Sequence, residues 1–206
     1  MFFLKRFFFD KAIDFHLNGD NQAISQSIHK EGKFMYIYLT SGTGDFLEQV
    51  RKKHQNQKMI LIHGEGNSVL IHETEGKSVF ATPRKFEVLD SVNDLEERGF
   101  FVFNNIPVTD EGRPVFEHRF LNRARAIEDE PGFLAFRLLR PLNSETYIVM
   151  TQWNGPHSFE AWKSSKAFKS AHAEQEEPTG VRQQNIFSAA SYITTYSASP
   201  KEEDEE

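Results

Sequence analysis

The side chains best equipped for chemistry are an indole and an imidazole on one stretch, Ala161-Trp162-Lys163 running on to Ser170-Ala171-His172. A neutral imidazole nitrogen is a competent iron ligand, and an indole face suits stacking on a flat aromatic plane. Two readings of the pair are open. In one, Trp162 is a core anchor and His172 an exposed last-turn helix residue favoured by the helix dipole, the common case in proteins at large; in the other, His172 is an axial ligand of haem iron with Trp162 against the macrocycle. A third element is Asn104-Asn105, set in a strand otherwise made of Phe100, Phe101, Val102, Phe103 and Ile106. Successive strand side chains point to opposite faces, so Asn104 travels with Val102 and Ile106, and Asn105 with Phe101 and Phe103. Only one amide can face a space between sheet and helices. There it hydrogen-bonds the neighbouring backbone or waits for a ligand, because a buried unpaired amide costs about 1–3 kcal/mol.

Other chemistries are excluded or unsupported. The chain has no cysteine, which removes disulfides, thiolate catalysis, iron–sulfur clusters and cysteine-rich zinc sites. Ser41-Gly42-Thr43-Gly44 lacks the lysine of a phosphate-binding loop, and no Gly-x-Ser-x-Gly elbow occurs. His63 and His72 fall on neighbouring predicted strands without a third ligand, a structural pattern rather than a metal site. A net charge of −6 with no basic stripe argues against nucleic acid as a partner. No apolar run reaches the roughly 20 residues needed to span a bilayer. The opening Met1–Asp10 is interrupted by Lys5 and Arg6 and followed by Asp14, with no small-residue cleavage site, so a cytoplasmic protein is expected. The 20 Phe against 2 Trp and 5 Tyr fit either a phenylalanine-rich core or the lining of a pocket for a large flat apolar ligand.

The elements that must position these residues come in four segments. Residues 1–34 lack sustained periodicity and are expected to be disordered or non-native. The codons of Lys30-Glu31-Gly32-Lys33 can spell a ribosome-binding sequence just ahead of Met35, which suggests Met35 as the natural start. Residues 35–97 read as a small α+β half. Its strand over 36–40 is broken at Gly42–Gly44, and a helical face follows with Phe46, Leu47 and Val50, closing on Arg51-Lys52-Lys53. Strands over 59–62 and 68–72 are joined by a Gly64–Asn67 hairpin turn, a third strand is expected over 78–81 and a short helix over 86–95. Residues 98–198 show a clearer order: a strand over 100–108, a helix over 113–127 with Phe116, Phe120, Ala124 and Ile127 on one face, then strands over 133–140 and 146–153. A helix over 158–172 anchored by Phe159, Trp162 and Phe168 and a last strand over 186–196 complete a β-α-β-β-α-β, ferredoxin-like α+β arrangement. Residues 199–206 form an acidic, solvated tail.

Phe103-Asn-Asn-Ile-Pro-Val108, Arg119-Phe120, Glu130-Pro-Gly-Phe133 leading to Arg137-Leu-Leu-Arg-Pro141, Ala161-Trp162 and Ala171-His172, in this order, resemble the antibiotic-biosynthesis-monooxygenase (ABM) superfamily, and within it the IsdG-type haem-degrading branch. From Met35 the first half is similar to that of two-part Bacillus haem-degrading enzymes and of staphylococcal TRAP proteins; together the likeness spans about residues 35–197. The resemblance implies an α+β dimeric-barrel fold and a haem oxygenase in which haem is both cofactor and substrate. Dioxygen and electrons from an external reductase open the ring and release iron. It implies His172 as the proximal iron ligand, Trp162 pressing on the porphyrin, and a strand asparagine donating a hydrogen bond on the distal side. Counting back from Arg119-Phe120 and Pro114 gives Asn104; counting from Gly112 gives Asn105, and Asn104 is preferred because helix residues fix register better. Arg119 and Phe120 join the haem-binding set. Arg119 and Arg123, one helical turn apart, pair with haem propionates or serve as solvated charges. The first half lacks an Asn…Trp…His counterpart, so a monomer with pseudo-dimeric halves and one haem per chain is expected. The other readings are a non-catalytic TRAP-like regulatory or stress protein and a cofactor-free ABM monooxygenase acting on an aromatic substrate.

Overall fold

The computed structural model describes residues 34–122, 125–165, 168 and 186–198. Among the described residues eight strands and three helices follow in the order β1 (Tyr36–Gly42), α1 (Gly44–Lys53), β2 (Met59–Gly64), β3 (Ser68–Thr74), β4 (Arg84–Val92), β5 (Phe100–Pro107), α2 (Arg113–Leu121), a 3-10 turn (Ala126–Asp129), β6 (Phe133–Pro141), β7 (Thr146–Trp153), α3 (Pro156–Ser164) and β8 (Tyr192–Ala198). The strands close into a barrel in the order β1-β3-β2-β8-β5-β7-β6-β4, every pair antiparallel. Cut between β4 and β6 and between β2 and β8, that order is two copies of one motif. β4-β1-β3-β2 and β8-β5-β7-β6 both place the fourth strand, first, third and second side by side, as in a ferredoxin-like sheet. The first copy lacks its second helix: residues 75–83 cross that position without forming one.

Strand alternation sorts the side chains. Ile37, Leu39, Ile60, Ile62, Val69, Ile71, Phe86, Phe101, Phe103, Leu139, Ile148 and Met150 fill the barrel interior. Alternate residues face outward under the helices. Phe116 and Phe120 of α2 cover Ile106, Leu138, Tyr147 and Val149, α3 covers Val102 and Trp153 with Phe159 and Trp162, and α1 covers Met59, Leu61 and Leu70 with Leu47. The halves meet along β4·β6, six Cα pairs with a bulge between Val88 and Asp90, and along β2·β8, three pairs ending at Gly64↔Tyr196. A Cβ at Gly64 would lie 2.7 Å from the Tyr196 ring, so only glycine lets this seam close.

Five expected elements differ, one of them the helix expected over 158–172, which as α3 spans Pro156–Ser164 with Ser165 extended. The segment expected to be helical over 86–95 is strand β4, because Phe86 is needed inside the barrel and both β1 and β6 supply ladder partners. The strand expected over 78–81 does not form; Ser78 bonds His72 and Phe80 packs on the α1 cluster instead. Helix α2 stops at Leu121, where the Asn122 side chain donates to His118 O at 2.7 Å. The last strand begins at Tyr192, Phe187 making only a bridge to Val108. The expectation for residues 1–33 lies outside the described residues. Among those described, no helix is long and apolar enough to cross a membrane.

Candidate functional site

Strand β5 carries the two asparagines to opposite sides of the barrel wall. Asn105 points inward with Phe101 and Phe103, where its Nδ2 donates to Phe103 O (3.1 Å), Tyr192 O (3.4 Å) and Thr194 Oγ1 (3.3 Å). Asn104 points outward between Val102 of the α3 cluster and Ile106 of the α2 cluster. It is 5% exposed, and among the described residues its buried Oδ1 has no hydrogen-bond partner. Its ladder neighbours, Val149 on β7 and Ile193 on β8, are apolar and offer that oxygen no side-chain donor. A buried acceptor in this condition costs stability unless a donor reaches it.

Trp162 reaches the same outer face from α3. Helix α3 opens at Gly155-Pro156, proline being suited to a first helical turn because its missing N–H needs no partner there. Trp162 lies in an aromatic group: its ring centroid is 5.6 Å from Trp153, 6.0 Å from Phe159 and 5.1 Å from Phe168, the last edge-on. Trp153 is fixed in turn by donating from Nε1 to Thr151 Oγ1 at 2.9 Å. The indole is thus held rigidly by other rings. Phe120 is fully buried under α2 against Phe116, and Arg119 lies on the exposed side of that helix. His172 and Arg123 lie outside the described residues. The structure therefore brings Asn104, Phe120 and Trp162 to one face of one sheet.

Sequence reasoning missed the charged network behind α2. Glu117 accepts from Arg140 Nε (2.7 Å), Arg140 Nη2 (2.5 Å) and the Tyr147 hydroxyl, while Arg140 Nη1 donates to Glu87 Oε2 at 3.0 Å. Burial alone would raise the Glu117 carboxyl, but the bonds from Arg140 and Tyr147 and the charges of Arg140 and Arg113 outweigh it and hold it below its ordinary range. Burial and the same carboxylate push the Tyr147 hydroxyl well above its ordinary range. The signal available was Arg140 itself, a charge on the outward side of an apolar strand.

The corresponding face of the first half is filled. Its Tyr38 and Thr40 occupy the outward positions of β1, and residues 75–83 lie where the second half has α3. His72 Nδ1 pairs with Ser78 Oγ and Nε2 with Gln57 Oε1, each at 3.2 Å, and its ring stands edge-on to Phe80 at 5.8 Å. Burial first, then the nearby His54, lower the His72 pKa. His63 Nδ1 bonds Ser68 Oγ at 2.8 Å beside a cleft of about 610 Å³ between the β1–α1 loop and the β2–β3 turn. None of the predicted site residues lines that cleft. Among the described residues no group of three or more ligating side chains stands together for a metal ion.

Residues 99–174 match the family described as antibiotic biosynthesis monooxygenase. A signal transduction protein TRAP of Staphylococcus epidermidis is 28% identical over 134 residues, covering 65% of this chain and 80% of the relative. Among solved structures, a major regulator of staphylococcal pathogenesis superposes with a TM-score of 0.69 at 23% identity, over 80% of this chain and 99% of the other. LmHde, a heme-degrading enzyme from Listeria monocytogenes, superposes with a TM-score of 0.58 at 22% identity, over 80% and 99%. At these identities the two structures share the fold.

Proposed function

From an antibiotic biosynthesis monooxygenase domain at residues 99–174, we propose that this chain is a cytoplasmic haem-degrading monooxygenase that binds haem on the outer face of β5, beneath α2 and α3. The observation that carries the proposal is the orphaned Asn104 Oδ1, buried between two aromatic-rich clusters and sharing its face with Trp162. Half a turn about the last side-chain bond would put Nδ2 where Oδ1 stands, so this amide could offer a bound molecule either an acceptor or a donor. The fold neighbour LmHde, a heme-degrading enzyme, adds support by analogy.

Haem bound there supplies the redox chemistry that, with dioxygen and electrons from an external reductase, opens its own ring and frees iron. The protein's part is placement. Neutral His172 would hold the iron through one imidazole nitrogen. Trp162, braced by Trp153, Phe159 and Phe168, would press on the macrocycle and set its distortion. Asn104 would turn its amide toward the bound group, on a face whose apolar lining includes Phe116, Phe120 and Val149. Arg119, exposed on α2 next to Phe120, would pair with a propionate. Because His72, Phe80 and Tyr38 fill the matching face of the first half, one haem per chain is proposed.

The test is aerobic incubation of hemin-loaded protein with a reductant. Decay of the Soret band with a bilin-type mass and chelatable iron supports the proposal. A stable band means haem carriage alone. The similarity to TRAP favours a second reading, a non-catalytic regulatory protein, and absence of any Soret shift would point to it.

A further inference from the structure

Helix α2 packs through Phe116 and Phe120, both fully buried, but is short for a helix. It is nine residues long, and its N-cap residue, Gly112, supplies no side-chain cap. Beyond that packing, its own polar side chains fasten it at two points. At its N-terminus Arg113 donates to Ser144 O (2.8 Å) and Pro141 O (3.3 Å), the two ends of the β6–β7 turn. At its middle Glu117 takes both nitrogens of an Arg140 fork and the Tyr147 hydroxyl. Tyr147 pairs across the ladder with Ile106, two residues beyond Asn104 on the same face, and its ring lies 4.6 Å from Phe116. Arg140 also holds Glu87 of β4, so the fastening extends into the other half of the barrel.

We infer that Glu117 is a positioning residue for the Asn104 face: its three bonds fix the rotation and height of α2, and with them the distance from Phe116 and Phe120 to the ligand. This inference rests on the ligand face proposed above. The barrel contains an internal control. Arg137 and Glu73 form a second buried, two-pronged ion pair (2.6 and 3.1 Å), but their neighbours Ala135, Leu139 and Ile71 point into the barrel, away from α2.

The experiment compares the full chain with its Glu117→Gln and Glu73→Gln variants in hemin titration, in melting temperature and in the side-chain amide resonances of Asn104. Glu117→Gln is expected to raise the hemin Kd about tenfold and to shift the Asn104 amide signals. Glu73→Gln is expected to lower the melting temperature at least as much while leaving both unchanged. If Glu117→Gln fails to fold, Tyr147→Phe, which leaves the Arg140–Glu117 fork intact, should raise the Kd about threefold with the same resonances moving. Equal effects from the two ion-pair variants, or unmoved Asn104 signals, would overturn the inference. If the unmodified chain binds no hemin, the haem proposal falls, and the Asn104 resonances still decide whether Glu117 sets this face.

Discussion

Replacing Asn104 by leucine separates a residue kept for a ligand from one kept for the fold. Asn104 is 5% exposed in apolar surroundings, and among the described residues its Oδ1 has no partner. An unsatisfied buried acceptor costs about 1–3 kcal/mol. Leucine has nearly the same shape, removes that penalty and adds apolar contact with Val102, Ile106 and Val149. In a domain of this size each kcal/mol moves the melting temperature by about 2–4 °C. The ligand-free Asn104→Leu protein should therefore melt on the order of 5 °C higher than the unmodified chain, by differential scanning calorimetry, while its affinity for hemin falls. Stability gained and binding lost at one position is the signature of a polar atom held for a ligand. A melting temperature lowered by several degrees would mean that Asn104 is bonded in the folded protein, and the reasoning about the site would be wrong.

Gly64→Ala should open the β2·β8 seam: its Cβ would meet the Tyr196 ring at 2.7 Å and Thr195 O at 3.1 Å, costing about 1–3 kcal/mol of overpacking in a urea titration. Glu73→Gln removes the carboxylate that neutralises Arg137, whose side chain is 4% exposed and keeps the carbonyls of Val92, Asn93 and Phe136, and should cost about 3 kcal/mol, far more than loss of the Lys52–Glu48 pair. Stability should also fall in two stages on acidification. His72 is lowered from 6.5, so its contribution is whole above that pH and is lost as pH falls through the folded-state value. Glu117 is lowered from 4.5, so its contribution is whole above 4.5 and is lost at still lower pH. Melting curves against pH should lose the first stage in His72→Gln and the second in Glu117→Gln; unchanged profiles would refute the assignments.

Much of the second half was legible because its signals are local. Alternation over Phe100–Pro107 puts Asn104 and Asn105 on opposite faces, and the hairpin through Leu142–Glu145 and the helices around Phe116 and Phe159 follow from period and turn residues. Segment 84–92 was not legible. Phe86, Val88 and Leu89 fit a short helix as well as a strand, and only β1 and β6 on either side decide the matter. The Glu117–Arg140–Tyr147 cluster was hidden for a related reason. Its members come from α2, β6 and β7, and nothing in their spacing says that three separate elements converge. Arg137 and Arg140 look alike in sequence, yet their odd spacing sends one into the barrel and the other under α2, so one motif builds two unrelated ion pairs.

The proposed haem site puts one imidazole, His172, and one amide, Asn104, on a bound iron porphyrin. Hemin titration of the unmodified chain, His172→Ala and Asn104→Leu, followed in the Soret region, measures both roles at once. A saturable one-to-one shift is expected for the unmodified chain, with loss of that spectrum in His172→Ala and weakened binding with an altered band in Asn104→Leu. Identical spectra and affinities in all three proteins would contradict it.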